Sequence, residues 1–185
     1  MSKSINKFGL TLGLVATLLL SGCATQNIQT YKEAKPTLDM HEFFSGQIDG
    51  YGMFQGRSGE VKKRFTVDIE ATHEGDDVIV LDEKFDWADG TKSQRIWRLT
   101  QQPNGQWKGT AGDVIGEAQG EVVGNAFHWQ YTLALPVDDK VYNVNFDDWM
   151  YLISDDVMLN RAVMSKFGVE LGSVTLSMQR NKDNN

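Results

Sequence analysis

The sequence predicts an all-β fold, an antiparallel up-and-down β-barrel of about 8–10 strands preceded by a short N-terminal helix. Three observations carry this. After Phe44, apolar and polar residues alternate with a two-residue period almost to the end of the chain, the pattern of strands with one face buried, because successive side chains leave a strand on opposite sides. Short turn signals such as Asp89-Gly90, Asn104-Gly105 and Gly124-Asn125 separate the runs, and glycine supplies the positive φ of tight hairpins. No stretch after Phe44 sustains the helical period of about 3.6 residues, which excludes a βαβ fold. Hairpins in sequence order favour a meander closed on itself, since closure removes exposed sheet edges. A partly open sheet or sandwich is the second choice.

Residues 1–22 read as a lipoprotein signal peptide. Lys3 and Lys7 make a basic start, Phe8 to Leu20 is uncharged, and Leu20-Ser21-Gly22-Cys23 follows. The apolar run is shorter than the ~20 residues of a membrane-spanning helix. The small residues before Cys23 match the bacterial lipobox, in which the thiol is acylated and the leader is cleaved just before the cysteine. Each buried methylene contributes roughly 0.8 kcal/mol, so several acyl chains such as palmitate anchor a protein firmly. Ala24 stands where an inner-membrane retention signal has Asp, so the expected location is the outer membrane, facing the periplasm. Residues 23–36 read as a lipidated tether, polar and ending at Pro36.

The barrel domain is expected over 37–180. Thr37 to Phe44 suits one or two helical turns capped by Thr37, with Phe43 and Phe44 folded onto the body. Strands are predicted over Gln47 to Gln55, Val61 to Thr72, Val78 to Trp87, Gln94 to Gln101, Gln106 to Ala111 and Val114 to Val123. Ala126 to Leu135, Lys140 to Asp148, Trp149 to Ser154, Val157 to Met164 and Val169 to Arg180 continue the series. Residues 181–185 read as a disordered tail.

Composition narrows the function. Lys3 and Lys7 are the leader's only charges, so the remainder carries 16 basic against 25 acidic side chains, a net −9. That argues against nucleic acid, which requires a basic stripe to displace phosphate counterions. Cys23 is the one cysteine, so neither a disulfide framework nor a thiolate metal cluster can form. Gly50-x-Gly52-x-x-x-Gly56 is not a phosphate loop, because it leads into a strand rather than a helix N-terminus. No elbow motif surrounds a serine, His41, His73 and His128 fall in separate elements, and no metal-ligand spacing occurs. No catalytic set, cofactor or metal site is therefore assigned.

Several strings occur together: Phe43-Phe44-Ser45-Gly46, Asp82-Glu83-Lys84-Phe85, Arg95-Ile96-Trp97, Gly112-Asp113-Val114-Ile115-Gly116, Asp147-Asp148-Trp149-Met150-Tyr151, and Asn160-Arg161-Ala162 before Met164-Ser165-Lys166-Phe167-Gly168. From Pro36 to Met178 the chain resembles a family of uncharacterised proteobacterial lipoproteins with a domain of unknown function. That resemblance implies no reaction, but family members tend to be encoded near enzymes that modify membrane fatty acids. A weaker likeness is to the lipocalin and calycin barrels, through the Gly-rich first strand Phe44-x-Gly46-x-x-x-Gly50-x-Gly52, without their Gly-x-Trp. Haem-binding barrels of that kind use a late histidine, and none follows His128 here.

Asp147-Asp148-Trp149 is the most suggestive constellation. Adjacent carboxylates in a strand face opposite ways, and alternation puts Asp148 inward with Val144, Phe146 and Met150. A buried carboxylate needs a partner, and Arg161 is the candidate, with Asn160 or Lys166 as alternatives. The pair either fixes strand register or anchors a ligand head group at the base of an apolar cavity. Met150, Met158 and Met164 either line such a cavity for an acyl chain or fill the core, and Trp149 divides between core, mouth and rim. The expected function is a periplasmic lipoprotein that binds a hydrophobic ligand, a fatty acid or other lipid, in its barrel. The alternative is a non-catalytic accessory lipoprotein with a packed interior, acting through its surface on a protein partner the sequence does not identify.

Overall fold

A computed structural model describes residues 26–137 and 139–181. The expectations placed on residues 1–22, on Cys23 and on 182–185 lie outside the described residues. Ten antiparallel strands form a closed barrel in meander order: β1 (Gly46–Gly56), β2 (Val61–Glu74), β3 (Val78–Trp87), β4 (Lys92–Gln101), β5 (Gln106–Thr110), β6 (Ala118–Val123), β7 (Ala126–Val137), β8 (Lys140–Ser154), β9 (Val157–Lys166) and β10 (Val169–Arg180). β1 pairs with β10 from Ile48↔Arg180 to Gly56↔Gly172, so no edge is left open.

Two predicted boundaries shift. Lys140 to Asp148 and Trp149 to Ser154 are one strand, β8, because nothing between Asp148 and Trp149 supplies a turn. Val114 does not begin a strand. It makes a single bridge to Leu133, and β6 starts only at Ala118. Gly112 and Gly116 flank that segment, and Gly116 has φ 72°, so the chain from Ala111 to Glu117 loops over the wall.

The odd-to-even connections, from β1–β2 to β9–β10, gather at one end of the barrel, here called the mouth. The other end is closed by helix α1 (Met40–Phe43). Asp39, not Thr37, caps it: the Asp39 carboxylate accepts from the backbone N–H of His41 at 2.9 Å and of Glu42 at 3.1 Å. Met40, Phe43 and Phe44 are buried in the main core with Ile48 and Trp107, and burying each such side chain contributes about 1.5–3 kcal/mol. The Phe44 carbonyl meets His73 Nε2 at 2.8 Å, tying the helix to the end of β2.

Residues expected to be a tether are ordered from Gln26 onward. A 3₁₀ turn, Ile28–Tyr31, buries Ile28 against Ala126 and Trp149 on the outside of the barrel. The order has a local cause. Asn27 caps the turn through Gln29 N–H, and Ile28 and Tyr31 cover the apolar surface of Trp149 and Tyr151.

Glycines thin the wall where bulky rings turn inward. A Cβ on Gly52 would lie 2.2 Å from a Phe65 ring carbon, and one on Gly109 2.6 Å from the Trp129 indole. Small residues beside large ones let the aromatic side chains lie flat across the lumen.

Candidate ligand-binding cavity

Between the α1 plug and the mouth lies a cavity of about 370 Å³. It is within the range of roughly 300–1,000 Å³ typical of small-molecule sites. Phe44 forms its floor, and Phe65, Trp97, Trp129 and Tyr131 form one aromatic side. Met150, Met164, Val174, Leu176 and Met178 make the opposing wall on β8, β9 and β10. The rings interlock: Trp97 meets Trp129 and Tyr131 edge-on at centroid distances of 5.9 and 5.2 Å, and Tyr131 stacks on Phe146 at 5.1 Å.

Polar groups enter this apolar shell at two levels. Near the mouth, Arg95 on β4 forks the carboxylate of Asp113, with Nε 3.1 Å from both oxygens and Nη2 2.7 Å from Oδ2. Glu83 on β3 lies 3.9 Å from Arg95 Nη1. β5 and β6 are short, so the wall between β4 and β7 is low. The loop carrying Asp113 fills the gap, held to β7 by Ile115 N–H to Thr132 O at 2.8 Å and Ala134 N–H to Asp113 O at 2.9 Å. The Arg95–Asp113 fork closes that side of the lumen.

Midway down, Asp148 on β8 points inward as expected and is 5% exposed. Its partner is not Arg161. The Tyr131 hydroxyl donates to Asp148 Oδ2 at 3.0 Å, while Arg161 sits opposite Trp149 in the β8–β9 ladder and is exposed on the outer face. Asn160, two residues from Ala162 that pairs with Asp148, is the inward polar residue of β9 and is also 5% exposed. Asp148 Oδ1 and Asn160 Nδ2 are both buried without a hydrogen-bond partner among the described residues.

Burial dominates the electrostatics. It pushes the Asp148 carboxyl up to about 7, against the Tyr131 hydrogen bond, with Asp147 adding to the rise and Arg95 opposing it. Burial likewise raises Glu83 to about 7 despite Arg95, with Asp113 and Asp82 reinforcing the shift. The Tyr131 phenol is held well above its ordinary value by burial and by the neighbouring Asp148. Burial opposes the charge on Arg95 most, but the Asp113 hydrogen bonds and the Glu83 charge outweigh it and keep the guanidinium protonated.

The other residues singled out from sequence divide. Met150 and Met164 line the cavity. Met158 is fully buried in the core below it, toward the α1 end. Trp149 lies outside the barrel, under the 3₁₀ turn, with its indole stacked on the His128 ring at 4.1 Å. His128 Nε2 in turn meets Asp147 Oδ1 at 2.7 Å. Sequence reasoning missed Glu83, Arg95, Asp113 and Tyr131 as site residues. Among the described residues, no cluster of three His, Cys, Asp or Glu is placed to hold a metal, and no helix is long and apolar enough to cross a membrane.

Around the mouth several large apolar side chains face solvent. Phe167, at the β9–β10 turn, is 91% exposed and has φ 52°, a left-handed conformation that is strained for a bulky residue. Lys166 Nζ lies 5.0 Å from its ring centroid and 5.2 Å from that of Tyr142.

Solved structures share this architecture at low sequence identity. The S-type phycobiliprotein lyase CPES from Guillardia theta aligns with a TM-score of 0.58 at 11% identity, over 85% of this chain and 99% of that one. Rv2717c from M. tuberculosis aligns with a TM-score of 0.54 at 14% identity, over 75% and 93%. These likenesses show the antiparallel up-and-down barrel fold. No curated protein sequence matches. Residues 17–180 match the family described as "Protein of unknown function (DUF3833)", and the chain belongs to that family.

Proposed function

We propose that the protein is a non-catalytic carrier that holds one hydrophobic or lipidic molecule in its barrel, as an acylated outer-membrane lipoprotein facing the periplasm. The observation that carries this reading is the cavity of about 370 Å³, walled by aromatic and methionine side chains and reached from the mouth. A packed interior acting only through its surface does not account for that space, since natural cores close voids of this size. One structural neighbour is named as a phycobiliprotein lyase. It lends no substrate to this chain.

Anchoring at Cys23 has a geometric consequence. Gln26 reaches the Tyr151 hydroxyl, and Leu38 N–H bonds Gly124 O at 2.8 Å, so the N-terminal segment leaves the barrel beside the β6–β7 turn at the plugged end. Two intervening residues, Ala24 and Thr25, span at most roughly 10 Å. The plugged end then sits near the anchoring bilayer, and the mouth, a strand length of roughly 30 Å away, faces the periplasm.

Native mass spectrometry of the detergent-extracted protein, with uptake of the neutral fluorophore Nile red by the same preparation, tests the carrier reading. Bound lipid or saturable uptake is expected, and absence of both refutes it. Metabolic labelling with an alkyne fatty acid tests the anchor: label lost in Cys23→Ser is expected, and label retained there overturns it.

A further inference from the structure

The lumen carries more acid than base. Glu83, Asp113 and Asp148 line it, against Arg95 and Lys63. Both cations are already paired: Arg95 is forked by Asp113, and the half-exposed Lys63 Nζ bonds Asp89 Oδ2 at 3.3 Å. An ionised carboxylate entering the cavity would lie near Glu83 and Asp148 with no unoccupied positive partner, in surroundings where like charges repel strongly.

Two buried atoms do seek partners, and they are complementary. Asp148 Oδ1 is an unused acceptor and Asn160 Nδ2 an unused donor, both on side chains 5% exposed. Asp148 pairs with Ala162 and Asn160 with Met150 across the β8–β9 ladder, so the two are diagonal neighbours on the inner face. Such neighbours have Cα atoms roughly 7–8 Å apart, and their side chains converge on one atom that both donates and accepts. A hydroxyl oxygen does both, and so does a primary amide through its two ends. A carboxylate offers only acceptors, and an alkylammonium only donors.

We propose that the cavity recognises its apolar ligand by an uncharged hydroxyl or primary amide head group, which donates to Asp148 Oδ1 and accepts from Asn160 Nδ2, and that it rejects the carboxylate of the same chain. This rests on the carrier reading above and replaces the fatty acid anticipated from sequence with a long-chain alcohol or amide. The Tyr131 hydroxyl, by occupying Asp148 Oδ2, leaves one carboxylate oxygen for the ligand. The adaptable wall of Met150, Met164 and Met178 takes the hydrocarbon.

The test is a competition at pH 8 on the full chain in non-ionic detergent. Equal amounts of dodecan-1-ol, dodecanamide and dodecanoate are offered, and retained ligand is measured by mass spectrometry after gel filtration. Alcohol and amide are expected to exceed dodecanoate by about tenfold or more, the effect of one or two buried hydrogen bonds gained or left unmade. Asn160→Leu, which deletes the donor at similar volume, is expected to lower alcohol and amide retention about tenfold while Nile red uptake persists. Asp148→Asn, which removes the repelling charge and adds an amide donor, is expected to raise dodecanoate retention about tenfold. Dodecanoate retained as well as the alcohol by the wild type overturns the proposal, as do ratios unchanged in both variants. Failure of every ligand and of Nile red overturns the carrier reading itself. Nile red binding without head-group discrimination overturns only the inference. Nile red uptake with an unchanged melting temperature reports that each variant is folded.

Discussion

Raising the pH from 5 to 8 should destabilise this barrel, and Asp148→Asn should remove a large part of the effect. Asp148 and Glu83 both have carboxyls pushed up to about 7 by burial. Between their unfolded values near 4 and these folded values, the native state holds protons that the unfolded chain has released. Stability therefore falls with rising pH, by about 1.4 kcal/mol per pH unit for each group. It is fully present below the unfolded values and lost as pH passes through about 7. Three units set a ceiling of roughly 4 kcal/mol for Asp148 alone. The two groups do not add fully, because each negative charge raises the other's affinity for a proton and the Glu83 side chain is 14% exposed. A combined loss on the order of 2–4 kcal/mol is the result, or about 5–10 °C in melting temperature for a domain of this size. Glu74 is shifted downward by its Arg98 hydrogen bond, and Asp89 to about 2 by Thr91. Both act below pH 5, as pH falls through and beneath their ordinary carboxylate range, and leave this window untouched. Urea denaturation of the ligand-free protein at half-unit pH steps gives the slope. Asp148→Asn keeps an acceptor for the Tyr131 hydroxyl and should cut the slope by roughly half while stabilising the protein at pH 8. A wild type equally stable at pH 5 and 8, or an Asn variant with the wild-type slope, would refute the account of a buried, protonatable pair.

Three further outcomes follow from the geometry. Phe167→Asn relieves a left-handed turn position at φ 52°, and the lost ring is almost wholly solvated, so a gain of about 0.5–1 kcal/mol in the urea midpoint is expected. Gly109→Ala drives a methyl to within 2.6 Å of Trp129 and 2.9 Å of Leu99, and overpacking of that kind should destabilise by about 1–3 kcal/mol, read by the same titration. Arg95→Met leaves Asp113 and Glu83 without their cation. Because the Arg95 and Asp113 side chains are 24% and 34% exposed, the loss should be about 1–3 kcal/mol rather than that of a fully buried pair. Hydrogen exchange over residues 111–117 should accelerate before the rest of the barrel does.

The architecture was legible because this sequence marks its turns and faces locally. Gly90, Gly105 and Gly124 all take positive φ at the dipeptides that signalled hairpins, and β2 reads exposed and buried in strict alternation from Arg64 to Thr72. The placement of Asp148 followed from the same parity. Its partner did not, because β9 carries apolar residues on both faces: Val157, Leu159 and Val163 on odd positions, Met158 and Ala162 on even ones. Alternation alone left the inner face of β9 undecided, and charge complementarity favoured Arg161. The register Asp148↔Ala162 decides it, turning Arg161 outward opposite Trp149 and Asn160 inward. Trp149 was ambiguous for a related reason. It occupies the outer face, yet it is buried by the 3₁₀ turn at Ile28, a contact between segments more than a hundred residues apart.

The polar half of the site was hidden by a different cause. Arg95, Asp113 and Tyr131 lie on β4, a loop and β7, and they meet because the two strands between them are short, five residues in β5 and six in β6. A short strand pair lowers the barrel wall, the loop must cross the gap, and a charged group on that loop is drawn over the lumen, where a guanidinium can neutralise it. The consequence reverses the inference drawn from Asp148 alone. With Arg95 committed to closing the wall and Lys63 paired with Asp89, the cavity keeps no unpaired cation for an anionic head group. What remains toward the plugged end is a matched acceptor and donor on neighbouring strands, so selectivity passes from charge to hydrogen-bond polarity.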